Sequence, residues 1–242
     1  MAHRPARRSA PRADRASGAA HAAPPPDASD REKIIAAFLG LLADKRFEQI
    51  GFAEIAERAG LSLARLRDEF GSPLAILAAH VKATDRAVLA QDFADMAQEP
   101  PRERLFDVLM RRLEILGPHR EAIRSLIRSA ATNPPLALAF NGLAVRSQQW
   151  MLTAAGIGAS GPRGMVRAQG LALLFSSVLR VWVNDDDPGL ARTMAALDRG
   201  LGRGQRLIGL FEDLLAVPAR LCRLRSRYRR PPRDDAEEEA AA

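Results

Sequence analysis

The sequence predicts an all-α protein with a three-helix unit at the front, containing a helix-turn-helix, and a larger helical domain behind it. Three observations carry that expectation. Alanine, leucine and arginine are abundant while aromatics make up only 5% of 242 residues, a composition that favours helices. Apolar residues recur at three- and four-residue spacing in one segment after another, and Pro and Gly clusters separate the segments. Finally, Phe52 to Phe70 reads FAEIAERAGLSLARLRDEF, two short amphipathic stretches around a tight turn.

The first helix begins at Arg31 behind a cap from Ser29 or Asp30, and Ile34, Ile35, Phe38, Leu41 and Leu42 form its apolar stripe. Phe47 and Ile50 pack the loop 44–51 beneath the next two helices. Phe52, Ile55, Ala56 and Ala59 share one face of the second helix, and Leu63, Leu66 and Phe70 share one face of the third. Gly60 supplies the turn and Ser62 caps the helix after it. Ser72-Pro73 starts a fourth helix, with the serine as cap and proline at the first position, where its missing donor costs nothing. Leu74, Ile76, Leu77, Val81, Val88 and Leu89 mark its buried face, and it runs to about Phe93.

Beyond Glu99-Pro100-Pro101 come longer periodic segments. The expected helices are Arg102 to Leu116, His119 to Ser129, Leu136 to Ala155, Met165 to Val183 and Gly189 to Leu215. A glycine-rich turn, Gly156 to Gly164, precedes the fourth of these, and Asn184 to Pro188 makes a stop and restart before the last. Gly200, Gly202, Gly204 and Gly209 would each weaken the last helix by about 1 kcal/mol relative to alanine. Such glycines fit a place where another helix comes close. The implied organisation is a disordered basic arm at 1–29, a helix-turn-helix unit at 30–77, a helical domain at 78–215 and a charged disordered tail at 216–242.

The formal net charge is +7, which suggests an acidic partner. The excess sits at the ends: Arg4, Arg7, Arg8, Arg12 and Arg15 at the front, and Arg220, Arg223, Arg225, Arg227, Arg229, Arg230 and Arg233 at the back. A solvated tail is the plain reading of the second run, and contact with nucleic acid or a membrane surface is the sharper one. Cys222 is the only cysteine, which excludes an intramolecular disulfide and a thiolate metal cluster and fits a reducing cytoplasm. No run of roughly eighteen apolar residues occurs, and the first residues lack the continuous apolar segment of a secretory signal, so neither a membrane span nor such a signal is expected. His3, His21, His80 and His119 are scattered, with no metal-ligand spacing, nucleophile elbow or phosphate loop, so neither an enzyme nor a resident cofactor is expected.

Residues 31 to 77 resemble the TetR-type one-component repressors. Ile34-Ile35 and Phe38 fit that family's first helix, Glu54-Ile55-Ala56 and Ala59-Gly60-Leu61-Ser62 fit its signature, and Leu66, Phe70 and Ser72 fall where its recognition helix and next cap stand. The resemblance implies a cytoplasmic homodimer that binds double-stranded DNA as a repressor and is released by a small apolar ligand. Arg67, Glu69 and Pro73 occupy positions where the family usually carries a tyrosine, an aromatic or histidine, and a lysine. A second likeness competes: Arg102 to Ile127 and Thr193 to Leu214 are similar to segments of the accessory lipid-binding proteins of coenzyme Q (ubiquinone) biosynthesis, which have a TetR-like fold and no operator.

The expected DNA contacts are Ser62, Leu63, Ala64, Arg65 and Arg67, within the helix-turn-helix Gly51 to Phe70. Ser62 and the backbone near it would hold a phosphate at the helix N-terminus, Arg65 would reach a base edge or phosphate, and Arg67 a phosphate. Mere solvation of both arginines is the plain alternative. Asp68 and Glu69 would repel a duplex that carries one negative charge per roughly 1.7 Å of axis. The expected apolar pocket is lined by Phe106, Met110, Phe140, Trp150, Met151, Met165, Phe175 and Trp182. Each of those residues fits ordinary core packing equally well. Helices 165–183 and 189–215 would pair with their symmetry mates as a four-helix bundle.

Overall fold

The computed structural model describes residues 28–91, 96 and 98–204. The basic arm and the arginine-rich tail fall outside them, as do Phe93 and the end of the last helix with Leu207, Ile208, Gly209 and Phe211. The described residues are all-helical, with no strand among them.

Helix α1 spans Asp30–Asp44. Ser29 Oγ accepts from the Glu32 backbone N–H at 3.3 Å while the Glu32 carboxylate accepts from the Ser29 N–H at 2.9 Å, a reciprocal capping box. Ile34, Phe38 and Leu42 form a fully buried stripe along it. A 3-10 turn at Phe47–Gln49 leads to α2, Phe52–Ala59, which ends on Gly60 at φ +67°. The Leu61 N–H returns to the Ala56 carbonyl at 2.9 Å and the Gly60 N–H to Glu57 at 3.0 Å. That double closure needs a left-handed residue, which glycine adopts without a Cβ penalty. Ser62 then caps α3, Leu63–Glu69, and Ser72 caps α4, Pro73–Leu89, with Pro73 in the first turn. The fourth helix stops at Leu89, short of the expected Phe93, and Leu89 is exposed.

Helices α5 (Pro101–Leu116), α6 (Arg120–Thr132), α7 (Pro134–Ala154) and α8 (Gly161–Trp182) follow. Residues 191–204 form α9, as far as it is described. The acids before it act as its cap: Asp187 accepts from the Ala191 N–H at 3.1 Å, and Asp185 accepts from the Thr193 N–H at 2.8 Å and hydroxyl at 2.6 Å. A Cβ on Gly200 would stand 3.0 Å from the Leu174 side chain, so α8 does come close to α9 there. No atom of the described residues would meet a Cβ on Gly202 or Gly204.

Two apolar clusters organise the chain. The larger joins α5, α7, α8 and α9 through residues such as Leu109, Leu113, Met151, Trp182 and Leu197. The smaller gathers α1 to α4 around Phe38, Ile55, Leu66 and Ile76, and takes in Ala122 of α6. Helix α6 is the seam between them. The Ser125 hydroxyl donates to the Lys45 carbonyl at 2.5 Å, and the Phe47 N–H donates to Ser129 Oγ at 3.1 Å. Edge-to-face contacts continue the join, Phe38 to Phe47 at 6.0 Å and Phe47 to Phe140 at 5.3 Å.

Candidate nucleic-acid interface and internal cavity

Helix α3 is held by one buried side chain, Leu66, while Ser62, Leu63, Ala64, Arg65 and Arg67 all lie on its exposed surface. The Ser62 hydroxyl is engaged in its own cap, accepting from the Arg65 N–H at 3.3 Å. The sequence pattern placed Phe52 and Leu63 on the packed faces. The structure exposes both, Leu63 to 55%, because each is the first residue of its helix, at the outer end of the stripe.

Charges on this face are largely satisfied within the protein. Arg65 grips Asp30 through Nε at 2.9 Å and a terminal nitrogen at 2.6 Å, joining α3 to the start of α1. Glu69 pairs with Arg31 at 3.3 Å, and the Arg31 guanidinium lies 4.4 Å from the centre of the Phe70 ring. Lys45 pairs with Glu54, Arg46 with Glu48 and Arg58 with Asp44. Exposed pairs of this kind stabilise little, about 0–1 kcal/mol each. Their effect is to cancel charge at the surface. Arg67 has no ion pair among the described residues and makes only a long contact, 3.5 Å, with the Gly71 carbonyl.

Behind this unit lies a cavity of about 490 Å³, within the roughly 300–1,000 Å³ of small-molecule sites. Its apolar wall includes Leu126, Ile127, Phe140, Leu143, Phe175 and Leu179, and Leu39 of α1 and Leu77 of α4 also reach it. Of the residues expected to line a pocket, Phe140 and Phe175 border this cavity, and Met110 borders a separate, polar one. Met151 and Trp182 are buried in the larger cluster, Phe106 and Met110 pack half-buried against it, and Trp150 and Met165 face outward at 58% and 49% exposure. Size and apolarity select residues that leave water. They do not say which side of a helix borders a void.

The wall also has a polar part that the apolar periodicity does not signal. Arg112, Ser147, Gln148 and His80 all border the cavity. Arg112 is ion-paired with Asp85 out of solvent, and Asp85 Oδ1 also accepts from the Ser147 hydroxyl at 2.7 Å. The Arg112 guanidinium lies 5.7 Å from the centre of the Phe175 ring. At this wall Nε2 of His80, Nε of Arg112 and Oε1 of Gln148 are buried with no hydrogen-bond partner among the described residues; each such group costs about 1–3 kcal/mol.

Burial, reinforced by the nearby His119 and Arg112, pushes the His80 imidazole down from 6.5 to about 4. The lowered value means the unfolded chain binds this proton first. Stability from His80 is therefore complete above pH 6.5 and is lost as pH falls towards 4, by roughly 3 kcal/mol at most. Urea unfolding at pH 7 and pH 4.5 should show that loss in the native protein and a smaller one in His80→Phe. An equal acid response in the two would contradict the assignment.

Among the described residues, no helix is long and apolar enough to cross a membrane, and no cluster of His, Cys, Asp and Glu has the geometry to hold a metal ion.

No protein-family model matches the chain. No curated protein matches it. Solved structures do. A TetR transcriptional regulator from Nitrosomonas europaea ATCC 19718 is similar over 74% of this chain and 99% of its own, with 19% identity and a TM-score of 0.56. One from Rhodococcus sp. RHA1 is similar over 72% of this chain and 95% of its own, with 22% identity and a TM-score of 0.52. A putative TetR-family regulator from Syntrophomonas wolfei str. Goettingen is similar over 74% of this chain and 94% of its own, with 14% identity and a TM-score of 0.52. The fold of the chain is thus that of the TetR-type regulators.

Proposed function

We propose that this protein is a DNA-binding transcriptional regulator that acts as a homodimer, reads a near-palindromic operator with α3, and releases it when a small apolar ligand fills the cavity. The observation that carries the reading is α3 itself, a short helix with one anchoring residue and its remaining side chains presented outward on a turn fixed by Gly60 and Ser62. The shared fold supports it, since the similar solved structures are described as TetR transcriptional regulators.

Ser62, Leu63, Ala64, Arg65 and Arg67 are the proposed contacts. Arg67 offers a cation that no carboxylate among the described residues has claimed, whereas Arg65 must exchange Asp30 for a base edge or phosphate. Exposed Val166 (69%) and Leu173 (61%) on α8, with Met194 on α9, supply an apolar face for the symmetry mate. Release follows from the wall the cavity shares with the reading unit. Leu39 of α1, Leu77 of α4 and Leu126 of α6 border it, so a ligand that favours one setting of these helices changes the spacing of the two α3 copies. The shift is limited to the ligand's differential affinity for the two settings.

Selection from random duplexes with the full-length protein tests the proposal. A twofold-symmetric site should be enriched, and enrichment should vanish in the double variant Arg65→Ala, Arg67→Ala while its unfolding midpoint stays within experimental scatter. Recovery of no preferred sequence at low salt would sink the DNA reading.

A further inference from the structure

We infer that the cavity takes an amphipathic molecule whose polar end is an uncharged head carrying both a hydrogen-bond donor and an acceptor, an alcohol or amide, read by Gln148 and Arg112 with His80 beside them. This rests on the cavity being the ligand site, and it adds the chemistry of the ligand.

The wall facing the cavity has a polar cluster formed by α4, α5 and α7. Gln148 is 1% exposed and Arg112 5% exposed, and both border the void. Among the described residues Gln148 Oε1 has no donor, and Arg112 Nε has no acceptor. Buried polar atoms in folded proteins are almost always satisfied by protein, water or ligand. Both atoms are themselves covered by protein, so a ligand reaches them only when the Gln148 amide and the Arg112 side chain turn towards the void. A ligand oxygen would then accept from Arg112 Nε, and a ligand O–H or N–H would donate to Gln148 Oε1. The two requirements are opposite in kind, and one hydroxyl or one amide meets them.

Charge decides against an ionised head. The Arg112 guanidinium is already neutralised by Asp85, which Ser147 also supports. His80 adds no charge near neutral pH, since its imidazole is pushed down to about 4. Buried charge is tolerated only when paired. A carboxylate or ammonium at this wall would therefore sit against a balanced pair and gain no counter-ion. Arg180 also borders the cavity, but its side chain is exposed, where water screens it.

The test uses the full chain and probes of one chain length: dodecanol, dodecanamide, dodecanoate and dodecylammonium, each competing with the neutral fluorophore N-phenyl-1-naphthylamine. Dodecanol and dodecanamide should displace the fluorophore at concentrations at least tenfold lower than the two ions. In Gln148→Leu, which still binds the fluorophore, that advantage should fall to threefold or less. Tightest binding by dodecanoate would overturn the neutral head and make Arg180 the reader. Equal displacement by all four, or an unchanged advantage in Gln148→Leu, would overturn the head assignment while leaving the cavity as a ligand site. No binding of the fluorophore or of any probe would overturn the ligand site and the head together.

Discussion

Replacing Asp85 with alanine is expected to lower stability by about 3–5 kcal/mol, because it strands the Arg112 guanidinium in the interior. Arg112 and Asp85 are ion-paired with side chains only 6% and 10% exposed. Asp85 also holds the Ser147 hydroxyl at 2.7 Å, so one carboxylate ties α4 to both α5 and α7. Removing it leaves a cation, a hydroxyl and a small cavity. The double variant Asp85→Leu, Arg112→Met removes both charges together and should recover most of the loss, since well-packed apolar replacements of buried pairs are often neutral or better. Urea midpoints of the three proteins check this. A cost below about 1 kcal/mol for Asp85→Ala would mean that water reaches Arg112 and that the wall is not dry.

Phe38→Ala is expected to cost a similar amount, about 3–5 kcal/mol, by removing a fully buried aromatic from the centre of the three-helix unit. Phe38 meets Phe47 edge-on, and Phe47 meets Phe140, which borders the cavity. Loss of Phe38 should therefore cost the unit its packing and the proposed DNA binding together. Phe47 is only half-buried, so Phe47→Ala should cost clearly less. Thermal unfolding followed by circular dichroism separates them. Equal costs for the two would contradict the placement of Phe38 at the hub.

Much of the fold was legible because its signals are local. Ser29, Ser62 and Ser72 cap helices where the sequence places caps, Gly60 takes the left-handed turn, and Pro73 sits in a first turn. The stripe Ile34, Phe38 and Leu42 is buried as its spacing demands. Errors fell at helix ends. Phe52 and Leu63 keep the period but begin their helices, so the stripe runs out into solvent.

The cavity was harder to see because its lining is assembled from six helices, α1 and α4 to α8, and no single period reports a void between them. Trp150 and Met165 show the limit, large apolar side chains that face outward. One local signal does mark the polar wall. Asp85 lies in register with Leu77 and Val88, Arg112 with Leu105, Leu109 and Leu116, and Gln148 with Val145 and Leu152. A charged or amide residue in the core register of three helices marks a buried polar network. Ion pairing across α1 to α3 left no such trace, since Arg65 with Asp30 and Arg31 with Glu69 are pairs that only the folded unit brings together.

The most direct test of the central proposal is the affinity of the full-length protein for a selected symmetric duplex and for a scrambled one, measured by fluorescence anisotropy at several salt concentrations. The proposal predicts at least a thousandfold preference at physiological salt, within the usual specific-to-non-specific range of roughly 10³–10⁷, and two chains per duplex. Arg67→Ala should make the salt dependence shallower, by about one phosphate for each copy of α3. Equal affinity for the two duplexes, falling away together as salt rises, would contradict it.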